Sequence, residues 1–140
     1  MSYQKPKDDH LGTQVIRKLT AKFVDDSRVE GMWLEGDSDT INWPPYAAID
    51  LHLAIPEPSL ASFAKEFQSA LEDIDTLSDF SQQEAPLKGF AGTATLSDGM
   101  EITYRIERTS QIAKVPRQVV NVLLDSSAGL LIPALSFESP

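Results

Sequence analysis

The sequence predicts an α+β fold in which a mixed β-sheet is packed by two helices on one face. Two segments carry apolar residues at helical spacing, and several shorter segments alternate between apolar and polar residues as half-buried strands do. The predicted order is helix, strand, strand, helix, hairpin and strand, so strands dominate the second half of the chain. This order, without a regular helix–strand alternation, is typical of α+β domains.

Each predicted helix has one apolar stripe. The first helix runs from Leu11 to Val24, and its stripe consists of Leu11, Val15, Ile16, Leu19 and Phe23. The second helix follows the segment PEPS, and its stripe consists of Leu60, Phe63, Phe67, Leu71 and Ile74. We expect Ser59 to cap the start of the second helix, with Pro58 directly before it.

Two strands are predicted between these helices. Val29–Leu34 is an apolar run, which predicts a strand that ends at Gly36. Tyr46–Ile55 alternates between apolar and polar residues. In the second strand one face carries Ala48, Asp50 and His52, and the other carries Ile49, Leu51 and Leu53. The two consecutive prolines of the intervening loop exclude regular pairing there.

A hairpin and a last strand are predicted in the second half. Gly89–Leu96 and Met100–Arg108 flank the turn Ser97-Asp98-Gly99, and Asp-Gly is a strong hairpin signal. In the second hairpin strand one face carries Ile102, Tyr104 and Ile106, and the other carries Glu101, Thr103, Arg105 and Glu107. Val119–Leu124 is the last strand. Residues 75–88 have no regular pattern, so no element is predicted for them.

Composition limits the classes of function. The 140 residues, 41% of them hydrophobic, fit a single domain at 11–140 after a flexible tail at 1–10. Cysteine is absent and the N-terminal residues are polar, which predicts no disulfides, no signal peptide and a cytoplasmic location. A formal net charge of -9 repels a phosphate backbone, so we expect no nucleic-acid partner. No apolar run is long enough to predict a membrane span.

One stretch resembles a known superfamily. The strand GMWLEG, the loop after it and the strand YAAIDL resemble the nucleotidyltransferases, which include aminoglycoside nucleotidyltransferases and DNA polymerase beta. The family pattern is an apolar strand, Gly-Ser, a loop, a strand with Asp-apolar-Asp, and a third carboxylate on a later strand. The resemblance, which covers residues 11–135, implies that Gly36 and Ser38 bind the nucleotide. It implies Asp50 and Glu101 as catalytic residues, and Asp50, Glu101 and His52 as ligands of Mg²⁺ or Mn²⁺.

The chain departs from the family pattern at two positions. Asp37 replaces the motif Ser, and Ala48 stands where the first Asp belongs. Shifting the frame by two residues places His52 in an acidic position, and imidazole prefers softer metals than Mg²⁺. Losing one electrostatic element of such a site raises the barrier by about 3 kcal/mol or more. We therefore expect a decayed metal site without catalytic activity.

The resemblance leaves three functions open. The first is an inactive nucleotidyltransferase-like domain that acts as a nucleotide-binding or protein-interaction module. The second is an active enzyme that uses Asp50, Glu101 and His52 with Mn²⁺. The third is a non-enzymatic regulatory or structural protein that forms a homodimer. Larger relatives carry a further helical domain, which we expect to be absent here or supplied by another chain. Late basic residues, among them Arg105, are candidates for phosphate contacts or for surface ion pairs.

Overall fold

The computed structural model of the chain describes residues 11–36, 48–85, 89–97, 99–114 and 119–125. The elements, in chain order, are α1 (Leu11–Phe23), β1 (Gly31–Gly36), β2 (Ala48–Ile55), α2 (Glu57–Glu72), β3 (Leu77–Ala85), β4 (Gly89–Leu96), β5 (Glu101–Arg108), a 3-10 helix (Thr109–Lys114) and β6 (Val119–Asp125). Neither α1 nor α2 combines the length and the apolar character that crossing a membrane requires.

The described strands form one mixed sheet of six strands in the order β3-β4-β5-β2-β1-β6. β2 and β5 are parallel, and the other neighbouring strands are antiparallel. The parallel pair lies at the centre of the sheet, where α2 and the β3–β4 hairpin connect its two strands. The structure confirms the predicted α+β class with a mixed sheet.

Both helices pack on the same face of the sheet, as predicted. Their apolar stripes meet the alternate apolar residues of β1, β2 and β5, which include Met32, Leu51 and Ile106. An aromatic group lies at the centre of this layer, where the ring centroids of Phe67 and Tyr104 are 4.6 Å apart. Burial of these side chains contributes about 25 cal/mol for each Å² of apolar surface removed from water. We call this side of the sheet the helical face.

The structure corrects two predictions about elements. Residues 77–85 form β3, an edge strand, although no element was predicted for them. α2 begins at Glu57 with Pro56 at its N-cap, so the predicted Ser59 cap is wrong. The backbone N–H of Ser59 donates to the carbonyl of Pro56, which places Ser59 inside the first turn. Proline is tolerated there because the first turn leaves its N–H groups without helical partners.

The other predicted elements match the structure within two residues at each described end. Gly99 has φ of 95°, the left-handed conformation that the Asp-Gly turn requires. The predicted tail at 1–10 and the proline-containing loop lie outside the described residues.

Candidate functional site

The face of the sheet opposite the helices carries a cluster of ionisable side chains, and we call it the second face. Alternation along β2 turns Leu51 and Leu53 to the helical face, and it therefore turns Asp50 and His52 to the second face. Trp33 of β1 pairs directly with His52, and on the other side Arg105 of β5 pairs with it. The three central strands thus bring their polar positions to one place.

His52 contacts a carboxylate from each of these three strands. Its Nδ1 lies 2.6 Å from Glu107 Oε2, in a hydrogen bond, and 3.4 Å from Glu35 Oε2. Its Nε2 lies 3.0 Å from Asp50 Oδ1. Nε2 nevertheless has no hydrogen-bond partner of acceptable geometry, so the contact with Asp50 is an ion pair rather than an aligned hydrogen bond.

The cluster is largely removed from water. The side chains of His52 and Glu107 are each 7% exposed, whereas that of Asp50 is 49% exposed. Burial alone would lower the pKa of His52, but the contacts with Asp50 and Glu107 and the charges of Glu35 and Asp50 raise that pKa to about 9. In this arrangement His52 is an imidazolium at neutral pH, and it is surrounded by carboxylates.

Trp33 fixes the cluster from one side. Its indole ring stacks on the imidazole of His52, with 5.5 Å between the ring centroids and 21° between the planes. The indole Nε1–H donates to Glu35 Oε2 over 2.7 Å. The ring is fully buried against Ala54 of β2 and Ile112 of the 3-10 helix. Trp33 therefore holds both an imidazole and a carboxylate of the cluster in position.

A cavity of about 470 Å³ adjoins the cluster and continues toward β3 and β4. Its charged lining residues are Glu35, Asp50, His52 and Arg105, so two carboxylates are matched by two cations. The remaining polar side chains of the lining are Ser81, Gln83, Thr93 and Thr103. A cavity of this volume is in the range of small-molecule binding sites.

The structure brings some of the predicted site residues together and separates others. Asp50 and His52 belong to the cluster. Gly36 ends β1 and Glu101 begins β5, so both lie at the end of the sheet where β2 begins. Glu101 pairs with Ala48 and lies six positions before Glu107, about 20 Å along the strand. Ser38 lies outside the described residues.

Two members of the cluster were missed by the sequence analysis. Glu107 was assigned to the correct face of its strand, but the register between β5 and β2 could not be known from the sequence. Glu35 is a lone carboxylate in an apolar strand, two residues after Trp33. A single acid in such a strand is the signal that would have identified it, because an unpaired buried charge is costly.

Comparison with known proteins gives a match in structure but not in sequence. No protein-family model matches the chain, and no curated protein matches it. Among solved structures, the chain is similar to an aminoglycoside 6-adenyltransferase from Bacillus subtilis, with a TM-score of 0.52 and 12% sequence identity. The match covers 77% of this chain and 37% of that enzyme, so the chain spans little more than a third of the enzyme's length.

At this identity the similarity speaks for the fold and not for the activity. The fold that the resemblance implies agrees with this match, since the similar enzyme is an adenyltransferase. The mixed six-stranded sheet with two helices on one face is consistent with that fold. The chain therefore has a nucleotidyltransferase-like α+β fold.

Proposed function

We propose that this chain is a nucleotidyltransferase-like domain that binds a nucleotide on the second face but does not hold the pair of Mg²⁺ ions needed for nucleotidyl transfer. One observation carries the proposal. In the shifted frame of the motif an acidic position is taken by His52, an imidazole that lies between the carboxylates of Glu35, Asp50 and Glu107.

The residues of the cluster do not fit a pair of Mg²⁺ ions. Mg²⁺ takes oxygen ligands at nearly ideal octahedral positions, and an imidazole at the centre of the cluster supplies nitrogen instead. The Glu101 carboxylate, expected as the third ligand, begins β5 two positions before Thr103, the residue that pairs with Asp50. That offset corresponds to about 7 Å along the strand. We therefore derive no catalytic step through Mg²⁺ at this site.

Electrostatics leads to the same conclusion. In phosphoryl transfer two divalent ions supply four positive charges beside the reacting phosphate. The imidazolium of His52 supplies one, and it is already in contact with Asp50 and Glu107. Each missing electrostatic element costs about 3 kcal/mol of barrier or more, so transfer would be slowed by several orders of magnitude.

The adjoining cavity supports nucleotide binding without a metal. Arg105 lines this cavity, and within the described ranges it forms no ion pair with a carboxylate. A guanidinium donates to phosphate oxygens through two parallel N–H groups. The hydroxyl groups of Thr93 and Thr103 lie in the same lining and add further donors. Glu107 is not among the residues that line this cavity, whereas Glu35 and Asp50 are.

Isothermal titration with a non-hydrolysable ATP analogue, without divalent ions, tests this binding. Arg105→Gln should weaken it at least tenfold, because it removes the charge from the cavity. Lys18→Gln, which removes an exposed charge from α1 on the opposite side of the sheet, is the matched control and should bind as the wild type does. Equal affinity in both variants, or no binding by the wild type, would reject the nucleotide site.

A second test addresses catalysis directly. Incubation with ATP and Mg²⁺ should release no pyrophosphate above background. The imidazole of His52 favours one alternative, an enzyme that uses Asp50, Glu101 and His52 with Mn²⁺, since Mn²⁺ accepts imidazole more readily than Mg²⁺ does. Pyrophosphate release with Mn²⁺ that Asp50→Ala abolishes would establish that alternative.

The position of β3 favours a protein-interaction role as the other alternative. Among the described strands β3 pairs only with β4, so its outer edge offers backbone groups to a strand of a partner or of a second copy. A mass that increases with concentration in light scattering, in the absence of nucleotide, would support a homodimer. A constant monomer mass would oppose it.

A further inference from the structure

We propose that Glu35, His52 and Glu107 form a binding site for a single divalent transition-metal ion of the Zn²⁺ class. This site differs from the magnesium pair of the nucleotidyltransferases in its ligands, in the number of ions and in the chemical class of the metal. It does not depend on nucleotide binding, because Arg105 is not a member.

The spacing of the donor atoms fits one ion. One ligand atom from each of Glu35, His52 and Glu107 lies within 4.8 Å of the others. A tetrahedral ion with bonds of about 2.1 Å holds its ligand atoms about 3.4 Å apart. His52 Nδ1 and Glu35 Oε2 already have this spacing, at 3.4 Å. His52 Nδ1 and Glu107 Oε2, at 2.6 Å, must separate by about 0.8 Å, which small side-chain rotations allow.

The three ligands come from regular secondary structure. Glu35 lies on β1, His52 on β2 and Glu107 on β5, three adjacent strands at the centre of the sheet. Ligands on paired strands have little freedom to move apart, so little conformational entropy is lost when an ion binds. Three protein ligands leave a fourth position for water or for a substrate.

Charge within the triad also fits a divalent ion. A protonated imidazole balances one of the two carboxylates of Glu35 and Glu107. A divalent ion together with a neutral imidazole balances both. The difference is important because the side chains of Glu35 and Glu107 are only 16% and 7% exposed. A buried charge without a partner of opposite charge is destabilising, so full charge balance stabilises the triad.

Groups behind the triad are placed as in known metal sites, where a ligating histidine donates its second N–H to a carboxylate and a ligating carboxylate accepts a further hydrogen bond. Asp50 Oδ1 lies 3.0 Å from Nε2 of His52, and this buried nitrogen makes no aligned hydrogen bond in the present geometry. A small ring rotation that presents Nδ1 to an ion can align Nε2–H with Asp50. Trp33 already donates to Glu35.

The ligand types select the metal. Imidazole is a good ligand for Zn²⁺ and Fe²⁺ and a poor one for Mg²⁺, whereas carboxylates accept all three. A set of one imidazole and two carboxylates therefore binds Zn²⁺ more tightly than Mg²⁺. The ring of Trp33 stacks on His52, so we expect its fluorescence to report a change at His52.

Zinc titration of the full chain after chelator treatment tests the proposal, by calorimetry and by Trp33 fluorescence in a Trp43→Phe background. We expect one Zn²⁺ per chain and a changed Trp33 emission. Glu107→Gln should weaken binding at least tenfold, whereas Glu84→Gln, at an exposed position on β3, should not alter it. Mg²⁺ at the same concentration should leave the emission unchanged.

Glu107→Gln removes the charge of a buried carboxylate, which can prevent folding, so Glu35→Gln provides a second variant. Circular dichroism identifies the variants that are folded. A weaker affinity in either folded variant supports the triad. Absence of zinc binding, or zinc binding of unchanged affinity in both variants, would overturn the proposal. Neither result would alter the expected effect of Arg105→Gln on nucleotide binding, so the two proposals can fail separately.

Discussion

Gly92→Ala should destabilise the protein strongly, because the neighbouring strand β3 lies too close to β4 for a side chain at position 92. A Cβ atom at position 92 would overlap the carbonyl of Ser81 and would lie 2.8 Å from its carbon and 2.9 Å from the hydroxyl of Tyr104. Real Cβ atoms do not approach other atoms to less than 3.0 Å, so β3 must move outward. The hydroxyl of Tyr104 shares its single proton between the carbonyl of Ser81 at 2.8 Å and Gln82 Oε1 at 2.9 Å, and this hydrogen bond depends on the present position of β3.

The expected loss in the free energy of unfolding follows from these contacts. Overpacking a close contact costs about 1–3 kcal/mol, and each lost hydrogen bond costs about 1 kcal/mol. We therefore expect Gly92→Ala to lose about 3 kcal/mol, measured by urea denaturation and circular dichroism.

Gly99→Ala is the matched control, since the same methyl group meets no atom within 4 Å among the described residues beyond its chain neighbours. Its φ of 95° makes that variant lose about 1 kcal/mol through backbone strain alone. A loss at position 92 no greater than the loss at position 99 would refute the described packing of β3.

Three further predictions concern the helical side of the fold. Tyr104→Phe should lose about 1–2 kcal/mol in urea denaturation, because it leaves two acceptors of β3 without their donor; an unchanged midpoint would contradict the described hydrogen bonds. Phe67→Ala should lose about 3–5 kcal/mol, since this ring is fully buried at the aromatic centre; a loss below about 1 kcal/mol would place it outside the core. A hydrogen bond from Arg28 lowers the pKa of Asp26 below its ordinary value of 3.8, so this ion pair stabilises the protein above that pH and stops doing so as the pH falls through the lowered pKa. Asp26→Asn should accordingly be less stable than the wild type at pH 7 and should approach it as the pH falls through the lowered pKa, and a difference that stays constant would refute the linkage.

The helical face could be predicted from the sequence because its signals are local. Helical spacing identified the buried residues of α1 and α2, and strand alternation separated Leu51 from Asp50. β3 was not predicted because it is an edge strand with few buried residues. Of its hydrophobic residues, only Leu77 and Phe80 pack against the core. The rest of the strand is mostly polar and shows no regular apolar–polar alternation, so its sequence resembles that of a loop.

The cluster could be predicted only in part, because it depends on strand register. Alternation placed Glu107 on the same side as Asp50, but only the pairing of Ala54 with Glu107 shows that this carboxylate reaches His52. The resemblance to nucleotidyltransferases directed attention to Glu101, which occupies the beginning of the same strand. Register is set by contacts between segments that are distant in the sequence, and these contacts cannot be predicted from a single sequence.

We propose that the second face accepts a nucleotide and one transition-metal ion rather than a pair of hard cations. Anomalous diffraction from crystals soaked with Mn²⁺ and a non-hydrolysable ATP analogue tests it most directly. We expect one ion held by Glu35, His52 and Glu107, with a phosphate on Arg105. Two ions about 4 Å apart, held by Asp50 and Glu101, would contradict it.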